Sequence, residues 1–410
     1  MKIIIQKFGG TSLSSKESRQ KAVEKIVFIK NKGYSPVVVV SAMGRKGDYY
    51  STDTLLSFLN DEFIKNNKKA VDLLLNTGEI ISSVIMCKEL YEVGISAMPM
   101  TGGQAGIITD NCFGNAKVLT VKTNNILEII NCGKVPVVSG FQGETETGDY
   151  TTIGRGGSDT TAAILGAVLK AEKIEIYTDV DGIMTADPKI VKDATLIEQM
   201  SYDELFNLAA LGAKVIHQKA AKIAADSKIP LTIKNTFNYG TGTSVSNSKE
   251  IYCDKLITAI THIDNRVQIS IFYEDNKLNN NYFEVLNELS INDISIDLIN
   301  VFTDRKIFTI DQMELKKLDL ILKDLNLKYN YRDNCSKISL IGSGMRGIPG
   351  VMAKILKTLK DEKIEILQTS DSHTTIWCLI PSEYTVSAII ALHNVFNWIL
   401  SLLCAHNNCN

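Results

Sequence analysis

Gly154-Arg155-Gly156-Gly157-Ser158-Asp159-Thr160-Thr161-Ala162-Ala163 is the stretch on which the reading of this chain turns. Glycines at 154, 156 and 157 make a turn, Ser158 or Asp159 supplies an N-cap, and small and apolar residues through Leu169 continue as a helix. A helix start of this kind attracts anions. Its first backbone N–H groups lack intrahelical partners, the helix dipole adds positive potential, and glycine lets a ligand approach the backbone closely. Arg155 adds a planar fork suited to a carboxylate or phosphate, and Asp159 sets a carboxylate beside it. Taken alone the pattern also suits an ordinary capped loop, so the surrounding chain has to decide.

Working outward, Ile174 to Tyr177 reads as a buried strand that stops at Thr178-Asp179-Val180-Asp181-Gly182. An acid-rich turn after such a strand marks the carboxyl edge of an α/β sheet, where ligands bind. Ala186-Asp187-Pro188-Lys189 is a further turn, a helical pattern runs through Tyr202, Leu205, Leu208 and Leu211, and Leu231 to Lys234 is a closing strand. Upstream, Ile3 to Gln6 is a strand followed at once by Lys7-Phe8-Gly9-Gly10-Thr11-Ser12. The glycines let backbone N–H groups face a phosphate, and Lys7 puts a compact positive charge beside them, although here the lysine precedes the glycines, unlike in a Walker loop.

A helix is expected around Ser18 to Asn31, and Val37 to Val40 is the unbroken valine run of a strand covered on both faces. After Ser41-Ala42-Met43-Gly44 the polar stretch 45–52 reads as a loop near the site, and Asp53 opens another helix. Thr77-Gly78-Glu79 reads as a break in a helical region, with Glu79 either a first-turn acid or a ligand. Ala97 to Thr101 and Val135 to Ser139 are strands, each followed by glycine turns. Residues 1 to about 245 therefore alternate strand and helix, a layered α/β sheet with helices on both faces.

Composition bounds the function. At 410 residues the chain should form two or three domains, and 45% hydrophobic content provides full cores. A net charge of -2 with no basic stripe argues against nucleic acid, leaving small molecules and other subunits as partners. The 8 cysteines show no CxxC pair, which predicts reduced thiols in the cytoplasm, and no zinc spacing is present. Met1 to Phe8 reads as a strand, not a signal peptide. The apolar region Ala388 to Ala405 is interrupted by His393, Asn394, Asn397 and Ser401, and its helical spacing suits one buried face better than a membrane span.

Beyond the turn-rich linker Gly240-Thr241-Gly242-Thr243-Ser244 come two shorter units, 262–332 and 335–400, each reading strand, helix, strand, strand, helix. Their matching order at a period of ~65 to 70 residues predicts a duplicated ferredoxin-like α+β module.

The three motifs at Lys7 to Ser12, Gly154 to Asp159 and Thr178 to Gly182, followed by the repeats, resemble the aspartate kinases of single-function bacterial type. The resemblance covers essentially the whole chain: an amino-acid-kinase domain at 1–245 and two ACT domains, with a C-terminal tail able to complete the first ACT sheet. It implies transfer of the ATP γ-phosphate, with Mg2+ accompanying ATP, to the β-carboxylate of L-aspartate, giving 4-phospho-L-aspartate. That is the first step toward lysine (through diaminopimelate), threonine and methionine. By the same resemblance Lys7, Phe8, Gly9, Gly10, Thr178, Asp179, Asp187, Lys189 and Lys214 hold ATP, and Lys7 and Asp159 form the catalytic pair. Ser41, Thr52, Glu79, Arg155, Gly156, Gly157 and Ser158 hold aspartate, with Arg155 on the α-carboxylate and Glu79 on the amino group.

Ser343, Met345, Arg346, Pro349 and Gly350 match the ligand turn of an ACT domain, whereas Asn276 to Asn281 in the first repeat lacks the Pro-Gly. The resemblance implies feedback by lysine and/or threonine and a homodimer or dimer of dimers joined through the ACT domains, with no nucleic-acid or membrane partner. Met184 stands where that family commonly has a tyrosine, which puts a nucleotide contact at this position in doubt. The competing readings are a kinase of another acidic amino acid and a non-catalytic ACT amino-acid sensor.

Overall fold

A computed structural model describes residues 1–212, 216–247, 256–272, 280–345 and 348–406. The chain divides into two compact units: Met1–Ile183, Leu196–Ala209 and Lys214–Tyr252 form the first, and Met184–Thr195, Ala210–Ala213 and Cys253–Asn410 the second. The span 1–245 expected as one domain thus gives up two short segments. Ala186 and Val191 are buried in the apolar core of the second unit, and Leu211 O accepts a bond from Thr261 Oγ1 at 3.3 Å.

In the first unit the elements run β1 (Ile3–Phe8), α1 (Lys16–Asn31), β2 (Ser35–Val40), α2 (Thr52–Leu56), α3 (Asp61–Asn66), α4 (Lys68–Glu92), β3 (Ala97–Met100), β4 (Ile107–Thr109), β5 (Val118–Val121) and α5 (Asn124–Asn131). They continue β6 (Val135–Ser139), β7 (Gln142–Thr145), β8 (Tyr150–Thr152), α6 (Gly157–Val168), β9 (Lys173–Thr178), β10 (Gln199–Ser201), α7 (Tyr202–Ala210), α8 (Gln218–Ser227), β11 (Leu231–Asn235) and β12 (Thr243–Ser246). The main sheet has the order β10-β12-β11-β9-β1-β2-β6-β3. From β11 to β3 every neighbouring pair is parallel, so the carboxyl ends of these strands form one rim. The valines of β2 lie between β1 and β6, and all four are fully buried, as a strand covered on both faces requires.

Two local readings change. Helix α4 runs unbroken through Gly78. A Cβ there would come within 2.9 Å of both Ala42 Cβ and Tyr50 O, so the glycine serves close packing rather than a break. Helix α6 begins at Gly157, with Gly156 at φ 69 as its cap in place of Ser158 or Asp159. Asp159, inside the first turn, keeps its carboxylate for another partner. By length and hydropathy α4 could cross a membrane, but half of its apolar stretch is buried within the fold. A second sheet, β5-β4-β7-β8, was not anticipated. Buried Asp72 of α4 ties it down, accepting from Gly114 N (2.9 Å), Thr152 N (2.8 Å) and Thr152 Oγ1 (2.8 Å).

In the second unit β13 (Ala259–Phe272), α9 (Asn280–Ile291), β14 (Ile299–Val301), β15 (Arg305–Asp311), α10 (Leu315–Asp324) and β16 (Lys328–Ile341) make the first repeat, and α11 (Val351–Asp361), β17 (Gln368–Asp371), β18 (Thr375–Pro381) and α12 (Thr385–His406) the second. All six strands join in one sheet, β14-β15-β13-β16-β18-β17. Strands β13 and β16 are 14 residues each and serve both repeats, with irregular pairing between Ile263 and Gln268 where one repeat gives way to the other. Residues 259–263 thereby supply an outer strand to the second repeat. The C-terminal tail expected to complete the first sheet is instead helical to His406, because Ile389, Leu392 and Phe396 bury one face of α12 against Ile355 and Leu359 of α11.

Candidate active site

The rim of the main sheet gathers residues distant in sequence. Lys7, near the end of β1, lies on the face toward α6, and its Nζ is 2.7 Å from Asp159 Oδ1, with both side chains largely buried. This ion pair joins the two glycine turns, 152 positions apart in sequence (159 minus 7). The end of β1 is fixed from β9: Gly9 N donates to Tyr177 O at 3.1 Å, and the Phe8 and Tyr177 rings stack at 4.9 Å. Beneath them the buried Glu175 carboxylate gathers Lys173 (2.6 Å), Lys234 (3.0 Å), Gln6 (3.1 Å) and the Tyr177 hydroxyl (3.0 Å). Burial works against its charge, but Lys234 and Lys173 prevail and hold its carboxyl below the usual range.

The glycines have different duties. A Cβ on Gly10 would lie 2.6 Å from Gly44 O and 2.8 Å from Ala42 O, so the turn can rest on the 42–44 segment only without a side chain. A Cβ on Gly9 would meet the protein only at ordinary distances, 3.6 Å from Tyr177 O and 3.7 Å from Lys7 Nζ. Gly9 therefore keeps clear the space beside the ammonium group, where an anion would be held.

Within α4, Glu79 is 2% exposed. Its Oε1 accepts from Ala42 N at 3.1 Å, while Oε2 is buried with no partner, and burial pushes its carboxyl up to about 8. A buried carboxylate with one oxygen unsatisfied suits a cationic ligand group. Ser41 sits at the end of β2, its N–H donating to Phe8 O at 3.1 Å. Thr52 opens α2, which packs through Leu55 against Gly78, next to Glu79. Arg155 is exposed at the α6 turn, and Ser158 is buried in its first helical turn.

Three neighbours of that turn escaped the sequence reading. His217 lies where a Cβ on Gly156 would fall (2.2 Å to His217 Cβ), Asn115 Oδ1 does the same at Gly154 (2.3 Å), and Lys219 Nζ bonds Asn115 Oδ1 at 2.9 Å. Burial and Lys219 hold the His217 imidazole below its ordinary range. Only the positive φ of Gly154 and Gly156, not visible as a spacing, brings these side chains so near. Phe141, also in the left-handed region at φ 68, is held by a bond from its N to Thr161 Oγ1 (3.1 Å) and closes the other side of Gly157.

At the ends of β9 and β11, Thr178 Oγ1 donates to Asp179 Oδ1 at 3.2 Å, and Arg45 forms an ion pair with Asp179, tying the polar 45–52 stretch to this rim. Thr178 O accepts from Thr236 N (2.9 Å), whose hydroxyl is 2.6 Å from Ser12 Oγ. Asp187 and Lys189 belong to the segment that groups with the second unit; both are exposed, and Asp187 Oδ1 accepts from Lys189 N at 2.9 Å. Lys214 lies outside the described residues, as do Arg346 and residues 276–279 of the turn expected in the first repeat. In the second repeat, Met345, Pro349 and Gly350 line a cleft of about 410 Å³ with Asp371, Ser372 and His373, Gly350 capping α11 at φ 91. Ser343 precedes that cleft without lining it.

Residues 2–235 match the amino acid kinase family, and residues 330–394 match the ACT domain. Aspartokinase 1 of Bacillus subtilis is 42% identical over 401 residues, covering 97% of this chain and 99% of that protein. The aspartokinase of Geobacillus stearothermophilus is 37% identical over 402 residues, with 97% of each covered. Among solved structures, the Clostridium acetobutylicum aspartate kinase has a TM-score of 0.81 at 25% identity, covering 96% of this chain and 100% of that one. E. coli aspartokinase III in complex with aspartate and ADP shares the fold, with a TM-score of 0.77 at 24% identity and coverage of 96% and 99%. A kinase domain matched over more than half the chain, and relatives matched over nearly all of it, establish that the chain belongs to the aspartokinases.

Proposed function

We propose that in this ATP-dependent aspartokinase the Lys7–Asp159 pair is the centre of phosphoryl transfer. The observation that carries this reading is the 2.7 Å contact joining the two glycine turns at the sheet rim. The nucleophile, the β-carboxylate of L-aspartate, is already ionised at neutral pH, so the site needs no general base. It needs in-line placement and neutralisation of charge on the transferred group. Lys7, with the backbone of Phe8, Gly9 and Gly10, holds the β and γ phosphates, and Asp159 orients the Lys7 ammonium. Thr178 and Asp179 contact the nucleotide, joined by Asp187, Lys189 and Lys214. Magnesium arrives with ATP as part of the substrate and keeps much of its water.

Arg155 pairs with the α-carboxylate of aspartate, and the unpartnered Oε2 of Glu79 takes its ammonium group. Ser41, Thr52, Gly156, Gly157 and Ser158 set the acceptor between them. The product is 4-phospho-L-aspartate, the first intermediate toward lysine through diaminopimelate, and toward threonine and methionine.

Regulation falls to the repeats. The cleft at Met345, Pro349 and Gly350 has the size and polarity for a free amino acid, and lysine and/or threonine is the feedback ligand. E. coli aspartokinase III, which shares this fold, has been solved in complex with lysine and aspartate. Strand β14 is a sheet edge with Ile299 and Val301 exposed, a surface that suits pairing into a homodimer or dimer of dimers in the cytoplasm. A coupled ADP-release assay with aspartate, glutamate or no acceptor tests the reading. Turnover with aspartate alone is expected; equal turnover with glutamate, or none with either, refutes it.

A further inference from the structure

Strand β11 ends at Asn235, and the turn that follows it is anchored on three sides. Asn235 Nδ2 and Asn238 Nδ2 both donate to Asp181 Oδ1, at 2.7 and 2.6 Å. Asn238 O accepts from Nζ of Lys25, a buried lysine of α1, at 2.6 Å. Between the two asparagines Thr236 is fully buried, its N donating to Thr178 O at 2.9 Å and its Oγ1 lying 2.6 Å from Oγ of Ser12, which is fully buried too.

The sheet runs β11-β9-β1, so β9 separates the strand that ends before Thr236 from the strand that leads to Ser12. Their contact therefore passes over the end of β9, whose last residue is Thr178. Ser12 closes the short 3-10 turn Gly10–Ser12 that follows Gly9. Thr236 thus grips two turns at once: the glycine turn after Lys7 through its hydroxyl, and the acid-rich turn after β9 through its N–H. Stability alone does not call for a hydroxyl here, since a buried pair of hydroxyls adds little over apolar groups of the same shape. What the pair adds is direction, because a hydrogen bond fixes distance and angle where a methyl contact leaves both loose. We propose that Thr236, through Ser12, is a positioning residue for nucleotide binding: it sets the spacing between the turn that holds the phosphates and the turn at Thr178 and Asp179. The inference rests on the reading of these two turns as the nucleotide site.

The test compares Thr236→Val, Ser12→Ala, the two combined, Thr236→Ser and Asp179→Ala in the full-length chain. Steady-state KM is measured for ATP and for aspartate, and Tm is recorded. Thr236→Val keeps the shape of the side chain and removes the hydroxyl; it is expected to raise KM for ATP roughly three- to tenfold, the scale of one buried hydrogen bond, with KM for aspartate changed less than about twofold. Ser12→Ala, the milder change from the other side of the bond, carries the same expectation should Thr236→Val fail to fold. Each single variant leaves one buried hydroxyl without this partner, and the double variant leaves none. Its Tm should therefore be no lower than that of either single variant, while KM for ATP stays as high as in the worse of them. Thr236→Ser should show the opposite split, with KM for ATP near wild type and Tm lowered by the lost methyl. KM for ATP that merely follows Tm across these variants, equal rises in both KM values, or an unchanged KM for ATP beside a raised one in Asp179→Ala overturns the inference alone. An unchanged KM for ATP in Asp179→Ala overturns the nucleotide reading of that turn and the inference with it.

Discussion

Replacing Glu79 by Gln removes one charge from a site 2% exposed to solvent and leaves its shape intact. With Oε1 held by Ala42 N and Oε2 unpaired, one oxygen is left for the ammonium group of aspartate in the role proposed for this residue. A charge-assisted bond of this kind contributes about 1.5 to 3 kcal/mol, or roughly 10- to 150-fold in the aspartate requirement. The free protein, however, holds this carboxyl at about 8, because burial disfavours its charge. At pH 7 binding must first expel a proton, which costs about 1.4 kcal/mol per pH unit below that value. The variant, with no proton to expel, should therefore bind aspartate at most roughly 15-fold more weakly at pH 7, and the deficit should widen toward pH 8.5.

Calorimetric titration with aspartate in two buffers of different ionisation enthalpy reads the proton directly. Wild type should release about nine-tenths of a proton per aspartate at pH 7, and Glu79→Gln none. Stability changes in the opposite sense. A carboxyl raised above its unfolded value of 4.5 stabilises the fold fully below that pH, and the benefit is lost as pH rises through about 8. The Tm of Glu79→Gln relative to wild type should accordingly climb between pH 5 and pH 8.5. An aspartate titration with no proton release, or a Tm difference independent of pH, refutes the argument.

Lys7→Ala should keep its fold by circular dichroism and lose at least about a hundredfold in kcat, the scale of removing one preorganised charge from a transition state; near-normal turnover rejects the phosphate role. Asp159→Asn should lower kcat with little effect on KM for aspartate, since it disturbs only the partner of Lys7, and a selective rise in KM for aspartate speaks against this. Arg155→Ala should raise KM for aspartate far more than KM for ATP, and the reverse pattern reassigns it to the nucleotide. Gly78→Val should cost about 1 to 3 kcal/mol of stability in urea unfolding, because it overpacks the contact with Ala42 and Tyr50; an unchanged midpoint denies that the contact is tight.

What the sequence revealed and what it concealed follow a physical division. The strands from β11 to β3 were legible because a parallel strand buried on both faces leaves an unbroken apolar run, as Val37 to Val40 does, whereas β10 and β12 at the far edge were missed, Thr243 and Ser244 reading as linker. The glycine turns were legible because a backbone pressed against its neighbours, as Gly10 is on 42–44 and Gly156 on His217, excludes side chains. Gly78 misled for the same reason: the chemistry that marks a turn also marks a close helix crossing, and only the neighbouring Ala42 and Tyr50 distinguish them. The sheet β5-β4-β7-β8 was missed because its strands are 3 or 4 residues long and carry no periodic signal. Asn115, His217 and Lys219 reach the Gly154–Gly157 region through long-range folding, and nothing in their own stretches announces it. The capture of Met184–Thr195 by the second unit was equally silent, since its few apolar residues read as those of any loop.

The shared strands β13 and β16 have a further consequence for how the regulatory half can come apart. Neither repeat owns a complete sheet, so no cut in the chain releases one of them intact: severing the chain at the corner near Asn334 leaves each fragment with a torn strand and bare backbone along it. The duplication visible in the sequence is thus one of pattern and not of independence. The two halves are therefore expected to melt together, a disturbance entering either one having a continuous ribbon of hydrogen bonds along which to be felt by the other.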